Sequence, residues 1–124
     1  MQKIKVGIAG YGKMGKIREE SFKQSGDVSL IAVFDSESKS VNEDIQFCSS
    51  YEELLKTDID AIFIAAYVNV SASYVMRALE AEKHVFCEKP PAVNFQELLP
   101  IKEYQKNSDL ILKYGFNHRM HHSV

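Results

Sequence analysis

Apolar residues along this chain fall into short continuous runs, and between the runs they switch to helical spacing. Runs suited to strands cover about 3–9, 29–35, 45–48, 60–66, 84–88 and 110–116. Several are apolar on both faces, as in Ala61-Ile62-Phe63-Ile64-Ala65, the pattern of parallel strands covered by helices on both sides. After the first run, Met14, Ile17, Ser21 and Phe22 share one helical face, which leaves Arg18, Glu19 and Lys23 for the wet side. Gly26 is placed to end that helix or to turn into the second strand. A short helix is expected from Ser50, with Glu53 three residues on as its capping-box partner. A longer one covers about 70–82, with Tyr74, Val75, Ala78 and Leu79 facing inward. Another starts at Asn94, again with an acid, Glu97, three residues on, and Pro100 should kink or interrupt it.

Alternating strand and helix predicts an α/β fold: a doubly wound parallel sheet (Rossmann fold) with right-handed crossovers and strand order 3-2-1-4-5-6. Its switch point lies between strands one and four, and ligands collect there at the carboxyl ends of the strands. Those ends carry Gly10–Gly15, Asp35, Ala65–Asn69, Glu88–Pro90 and Asn117–Arg119.

The first of these patches is the most specific. Gly10-Tyr11-Gly12-Lys13-Met14-Gly15 is a G-x-G-x-x-G set between a strand and a helix, and the second strand ends in Asp35, twenty residues after Gly15. Gly10 allows a tight turn, Gly12 lets a diphosphate approach the main chain, and Gly15 lets the helix pack close to the sheet. Amides of the turn, including those of Lys13 and Met14, then face the phosphates at the positive end of the helix. The Lys13 side chain is expected to be solvated. Asp35 would accept hydrogen bonds from the adenosine ribose and repel a 2′-phosphate, which favours NAD over NADP; Ser36 and Lys39 could soften that preference.

Composition narrows the field. The 124 residues make one modest domain, 45% hydrophobic and 26% charged, with a formal net charge of −2. No basic block supports nucleic-acid or anionic-membrane binding. The longest apolar stretch, Ala61 to Val70, is too short to span a bilayer, and the first residues lack the features of a signal peptide. Cys48 and Cys87 fall at strand ends beside apolar residues, as buried thiols of a reducing cytoplasm would. His118, His121 and His122 have neither a local carboxylate or thiol nor the spacing of a helical metal pair, so no metal is expected.

Beyond the glycine turn, Lys83-His84-Val85-Phe86-Cys87-Glu88-Lys89-Pro90 ends the fifth strand in an EKP triplet. With the G-I-x-G-x-G-x-M-G start, Asp35, Leu79-Glu80-Ala81 and Asn117-His118-Arg119, the chain resembles the glucose–fructose oxidoreductase / inositol dehydrogenase (Gfo/Idh/MocA) family along its whole length. The resemblance implies the N-terminal NAD(P)-binding domain of an oxidoreductase that moves a hydride between nicotinamide and a sugar, cyclitol or nucleotide-sugar carbinol. It implies that Lys89 lies beside the nicotinamide and bonds the reacting oxygen, that Glu88 contacts the cofactor or holds Lys89, and that Pro90 fixes the loop. An ammonium at that point would stabilise alkoxide character and orient the carbinol. It also implies contacts from Ala66, Asn69 and Asn117, and a homo-oligomer at full length.

This sequence departs from the family pattern after strand four. Many relatives carry T-P-x-x-x-H; here Ala66-Tyr67-Val68-Asn69-Val70-Ser71 lacks both Pro and His. Asn69 could touch the cofactor, or Asn69 or Ser71 could cap the next helix. The family's general base belongs to a second domain. Residues 1–118 are therefore expected to be the dinucleotide domain, and 119–124 the start of the connection to a substrate domain. On this reading the 124 residues bind NAD but do not turn over alone. The competing expectations are a non-catalytic NAD-binding module or redox-responsive regulator, and a small stand-alone reductase. The EKP triplet favours the first reading.

Overall fold

The computed structural model describes residues 3–37, 41, 43–65, 68–88 and 95–114. Six strands form one parallel sheet in the order β3-β2-β1-β4-β5-β6: β1 (Ile4–Ala9), β2 (Val28–Phe34), β3 (Gln46–Cys48), β4 (Ala61–Ile64), β5 (His84–Cys87) and β6 (Leu112–Tyr114). The crossovers carry α1 (Lys13–Gln24), α2 (Tyr51–Leu55), α3 (Val68–Glu80) and α4 (Leu99–Gln105). The expected class, strand order and switch point between β1 and β4 are all found.

Period-two alternation divides the strands between two cores. Ile8, Val33 and Phe63 point to the face under α1, where Phe22 and Phe86 join them. Ala9, Ala32, Ile62, Ile64, Val85 and Cys87 point to the other face, against Leu54, Val75, Ala78, Leu79 and Ile101 of α2, α3 and α4. In β2 the alternation slips once. Val6 pairs with Leu30 but Gly7 with Ala32, so Ile31 is an extra residue and both it and Ala32 turn to the second core.

Helix α1 corrects the sequence reading. Met14 and Ile17 are 40% and 46% exposed, and Ser21 is exposed too. The face against the sheet is Gly15, Arg18, Glu19 and Phe22, with Glu19 buried. The apolar pattern misled because the glycine, not the larger side chains, sets the helix rotation.

Ser50 caps α2, accepting from the Glu53 amide at 3.0 Å, although the Glu53 carboxylate accepts from the Ser49 amide and hydroxyl. Residues 95–98 are a 3₁₀ turn, and α4 follows with Pro100 in its first turn, where proline sacrifices no helical hydrogen bond. The expected start at Asn94 lies outside the described residues. His84 is structural: its Nδ1 accepts from the Ile111 amide at 3.0 Å. Cys48 and Cys87 are both buried, and burial pushes their thiols up to about 11 and about 12. Among the described residues no helix is long and apolar enough to cross a membrane.

The turn from α3 into β5 places Glu82 at φ 63°, where the Lys83 amide closes on the Ala78 carbonyl at 3.0 Å. This is a glycine-like cap held by a side chain that disfavours it. Glu82→Gly is therefore expected to raise stability by about 0.5–1 kcal/mol, measured by urea unfolding.

Candidate functional site

At the carboxyl edge of the sheet, three main-chain bonds continue the strand ladders into the loops. The Gly10 amide donates to Phe34 O at 2.7 Å, Ala65 to Ala9 O at 2.7 Å, and Glu88 to Ile64 O at 2.8 Å. Gly10 adopts φ 98°, a conformation that side chains resist. Gly12 then caps α1 with no side-chain bond to the first turn. That turn holds no acid, so the positive end of the helix is not offset from within the turn.

The two remaining motif glycines differ in kind. A Cβ on Gly15 would stand 2.2 Å from the Gly10 carbonyl oxygen, a backbone atom that cannot rotate away. A Cβ on Gly12 would meet nothing within 4 Å. Gly15 serves the fold, and Gly12 keeps open a space that the fold itself does not use. A diphosphate approaching the helix N-terminus fits that space.

A cleft of about 470 Å³ opens there. Gly10, Gly12, Lys13 and Met14 form one side, Phe34, Asp35, Ser36 and Glu37 a second, and Ala65, Asn69, Val70 and Tyr74 the third. Grooves of similar size lie beside α4 and on the α1 face of the sheet, with apolar linings that include lysines. The switch-point cleft combines an open helix N-terminus with carboxylates, the donor and acceptor set a dinucleotide needs.

Asp35 is held in place from the glycine turn: Tyr11 N donates to its Oδ1 at 3.3 Å. The phenol of Tyr11 does not line the cleft. It is buried, it donates to Glu19, and Lys23 approaches that carboxylate at 3.4 Å. Burial and the Glu19 contact push the phenol up to about 12. Tyr11 therefore reaches the site through its main chain alone.

Of the residues expected at the cofactor, Gly10, Gly12, Lys13, Met14, Asp35 and Asn69 surround the cleft, and Gly15 packs beneath it. Glu88 does not line it; its carboxylate meets Arg18 Nη2 at 3.3 Å. Ala66, Lys89 and Asn117 lie outside the described residues, as do Tyr67, Pro90, Lys39 and the terminal histidines. Helix α3 starts at Val68, so neither Asn69 nor Ser71 caps it. Ser71 is buried beside the Cys87 thiol, to which it hydrogen-bonds.

Sequence reasoning missed Glu37 and Tyr74 as cleft residues. Glu37 stands two positions beyond Asp35, which was a usable signal. Tyr74 reads as a core residue from its helical spacing; its ring does stack on Tyr51, centroids 3.9 Å apart, but it also reaches the cleft wall.

The Gfo/Idh/MocA model, described as an oxidoreductase family with an NAD-binding Rossmann fold, matches residues 4–116. Myo-inositol 2-dehydrogenase of Thermotoga maritima is 29% identical over 123 residues, 94% of this chain and 37% of that enzyme. D-glucoside 3-dehydrogenase of Escherichia coli is 27% identical, with 94% and 35% covered. The crystal structure of myo-inositol 2-dehydrogenase from Lactobacillus plantarum superposes with a TM-score of 0.88 at 26% identity, covering 96% of this chain and 38% of that one. The chain thus spans little more than a third of the length of these relatives.

The two glycines can be separated by experiment. Gly15→Ala is expected to lower stability by about 1–3 kcal/mol in urea unfolding. Gly12→Ala should leave the unfolding midpoint nearly unchanged yet weaken dinucleotide binding, read by fluorescence titration with NADH.

Proposed function

The chain belongs to the Gfo/Idh/MocA oxidoreductase family, and from that premise we propose that it is the NAD-binding domain of a dehydrogenase acting on a sugar, cyclitol or nucleotide-sugar carbinol. The observation that carries this reading is the unfilled space over Gly12 at the N-terminus of α1, facing Asp35 across one cleft.

Each residue then has a physical task. Main-chain amides from Gly12 to Met14 hold the diphosphate at the positive helix end. Asp35 accepts from the adenosine ribose hydroxyls, its carboxylate held by the Tyr11 amide. A 2′-phosphate would meet the Asp35 charge with Glu37 on the same wall, which favours NAD over NADP. Ala66, Asn69 and Asn117 are further cofactor contacts on this reading. A nicotinamide dinucleotide held by these residues would supply the hydride acceptor for oxidation of the carbinol carbon to a ketone. Lys89 bonds the reacting oxygen and orients the carbinol, and Glu88 sits directly before it in the chain. The base that takes the hydroxyl proton belongs to a second domain, with residues 1–118 as the dinucleotide unit and 119–124 leading onward. The whole protein is a cytoplasmic homo-oligomer on this reading.

The Asp35→Arg variant should lose about tenfold or more in NAD affinity and gain affinity for NADP. An unchanged preference in parallel titrations would overturn the ribose assignment. In the full-length enzyme, Lys89→Ala should lower kcat about 100-fold or more while NAD affinity stays within about threefold. Equal losses in both would reduce Lys89 to a cofactor-holding role.

A further inference from the structure

Tyr74 lies in the second turn of α3, four residues beyond Val70, so the two side chains share one face of the helix, and both line the cleft. Phe34 and Tyr74 are the aromatic side chains of the cleft among the described residues, and Phe34 directly precedes Asp35. Their rings meet at 60° with centroids 6.4 Å apart. Tyr74 is also held from behind. Its ring lies parallel to that of Tyr51 in α2, tilted by only 6°, and the Tyr51 hydroxyl donates to the Tyr74 carbonyl at 2.6 Å. The Arg77 guanidinium carbon stands 5.0 Å from the centre of the Tyr51 ring. Tyr51 is buried and Tyr74 half-buried, so the Tyr74 side of this pair is the one that reaches the cleft.

The ring is therefore fixed before any ligand arrives, and a planar group that binds it orders little further. Burial raises the Tyr74 phenol above its ordinary value and the Asp35 charge raises it further, so its hydroxyl stays protonated.

A ribose held at Asp35 through its diol carries a diphosphate on one carbon and a base on another. With the diphosphate drawn to Gly12, the base is the group left to meet the apolar surface nearest Asp35, that of Phe34, Val70 and Tyr74. Ser36 and Glu37, on the same wall as Asp35, are exposed and polar, and offer a flat base no such surface. We propose that Tyr74 is a specificity-determining residue: its ring, fixed by Tyr51, contacts the base of the bound dinucleotide and makes the site prefer a purine to a smaller pyrimidine. The inference rests on the dinucleotide reading above. Tyr51 touches no ligand in this scheme and acts as a positioning residue.

The test compares NADH with reduced nicotinamide cytosine dinucleotide, which keeps the diphosphate and both riboses and changes only the base. Both are titrated by fluorescence against the full-length protein and three variants. Wild type is expected to bind NADH about tenfold more tightly than the cytosine analogue. Tyr74→Leu should weaken NADH about five- to tenfold and the analogue by no more than about twofold, so that the preference nearly disappears. Tyr74→Phe keeps the ring and should keep the preference. Tyr51→Leu removes the support and should give the same selective loss in smaller measure, about threefold. Retained binding of the analogue shows that a variant is folded with its phosphate and ribose contacts in place. If NADH binds and Tyr74→Leu leaves the preference intact, or weakens both dinucleotides equally, the proposal falls and the dinucleotide reading stands. If wild type binds neither dinucleotide, both fall.

Discussion

One close approach governs this domain: the Cα of Gly15 against the carbonyl of Gly10. With 2.2 Å between that oxygen and any added Cβ, no other residue lets α1 sit at this depth. Depth and rotation are then coupled. Once position 15 must face the sheet, the residues three, four and seven further on must face it too, whatever their polarity. Arg18 and Glu19 are drawn inward and Met14 and Ile17 are turned out, against their hydrophobic preference. The fold accommodates the two charges with dedicated partners: Glu88 and two stacked rings for Arg18, Tyr11 and Lys23 for Glu19. A glycine contact thus creates the ionic contacts around it.

The same contact aims the helix. The turn over Gly10 is fixed to the end of β2 through Phe34, and Asp35 follows directly, joined back to the turn by the Tyr11 amide. Loop, helix start and acid behave as one unit because each is hydrogen-bonded to the next. The bulge at Ile31 lies lower on β2 and leaves the paired register of Val33 and Phe34 intact, so the top of the strand still delivers its acid to the cleft.

This explains what could be read in advance. Strand order, the crossovers and the switch point follow from alternation and handedness, which depend on local pattern and on rules common to all parallel sheets. Gly10, Gly12 and Asp35 are legible as cleft residues because spacing along one chain fixes them, whereas Asn69, open in the sequence between cofactor contact and helix cap, joins the cleft only in the folded chain. The buried face of α1 was misread because hydrophobic periodicity was weighed above a steric constraint that the motif itself contained. Asn69 and Ser71 were misjudged as caps because the helix start moved by two residues, and such boundaries depend on tertiary contacts such as that of Ser71 with Cys87. Tyr74 was half legible: its spacing announced burial, but only the folded α3 shows that the same ring reaches the cleft.

Charge is sorted across the site in a way that gives it direction. The acid-free first turn of α1 and Lys13 make one side attractive to phosphate, while Asp35 and Glu37 make the second wall attractive to hydroxyl donors and hostile to phosphate. A ligand with a diphosphate at its centre and a diol at one end can satisfy both only in one orientation, with the diol toward β2. Its other end is then directed away from β2, across β1 and β4, to the side where Glu88 follows β5. There the carboxylate is matched by Arg18, so that end of the edge presents no uncompensated acid from Glu88. The carboxylates of the edge therefore differ in setting: the pair at β2 lines the cleft, and the one beyond β5 is restrained by Arg18.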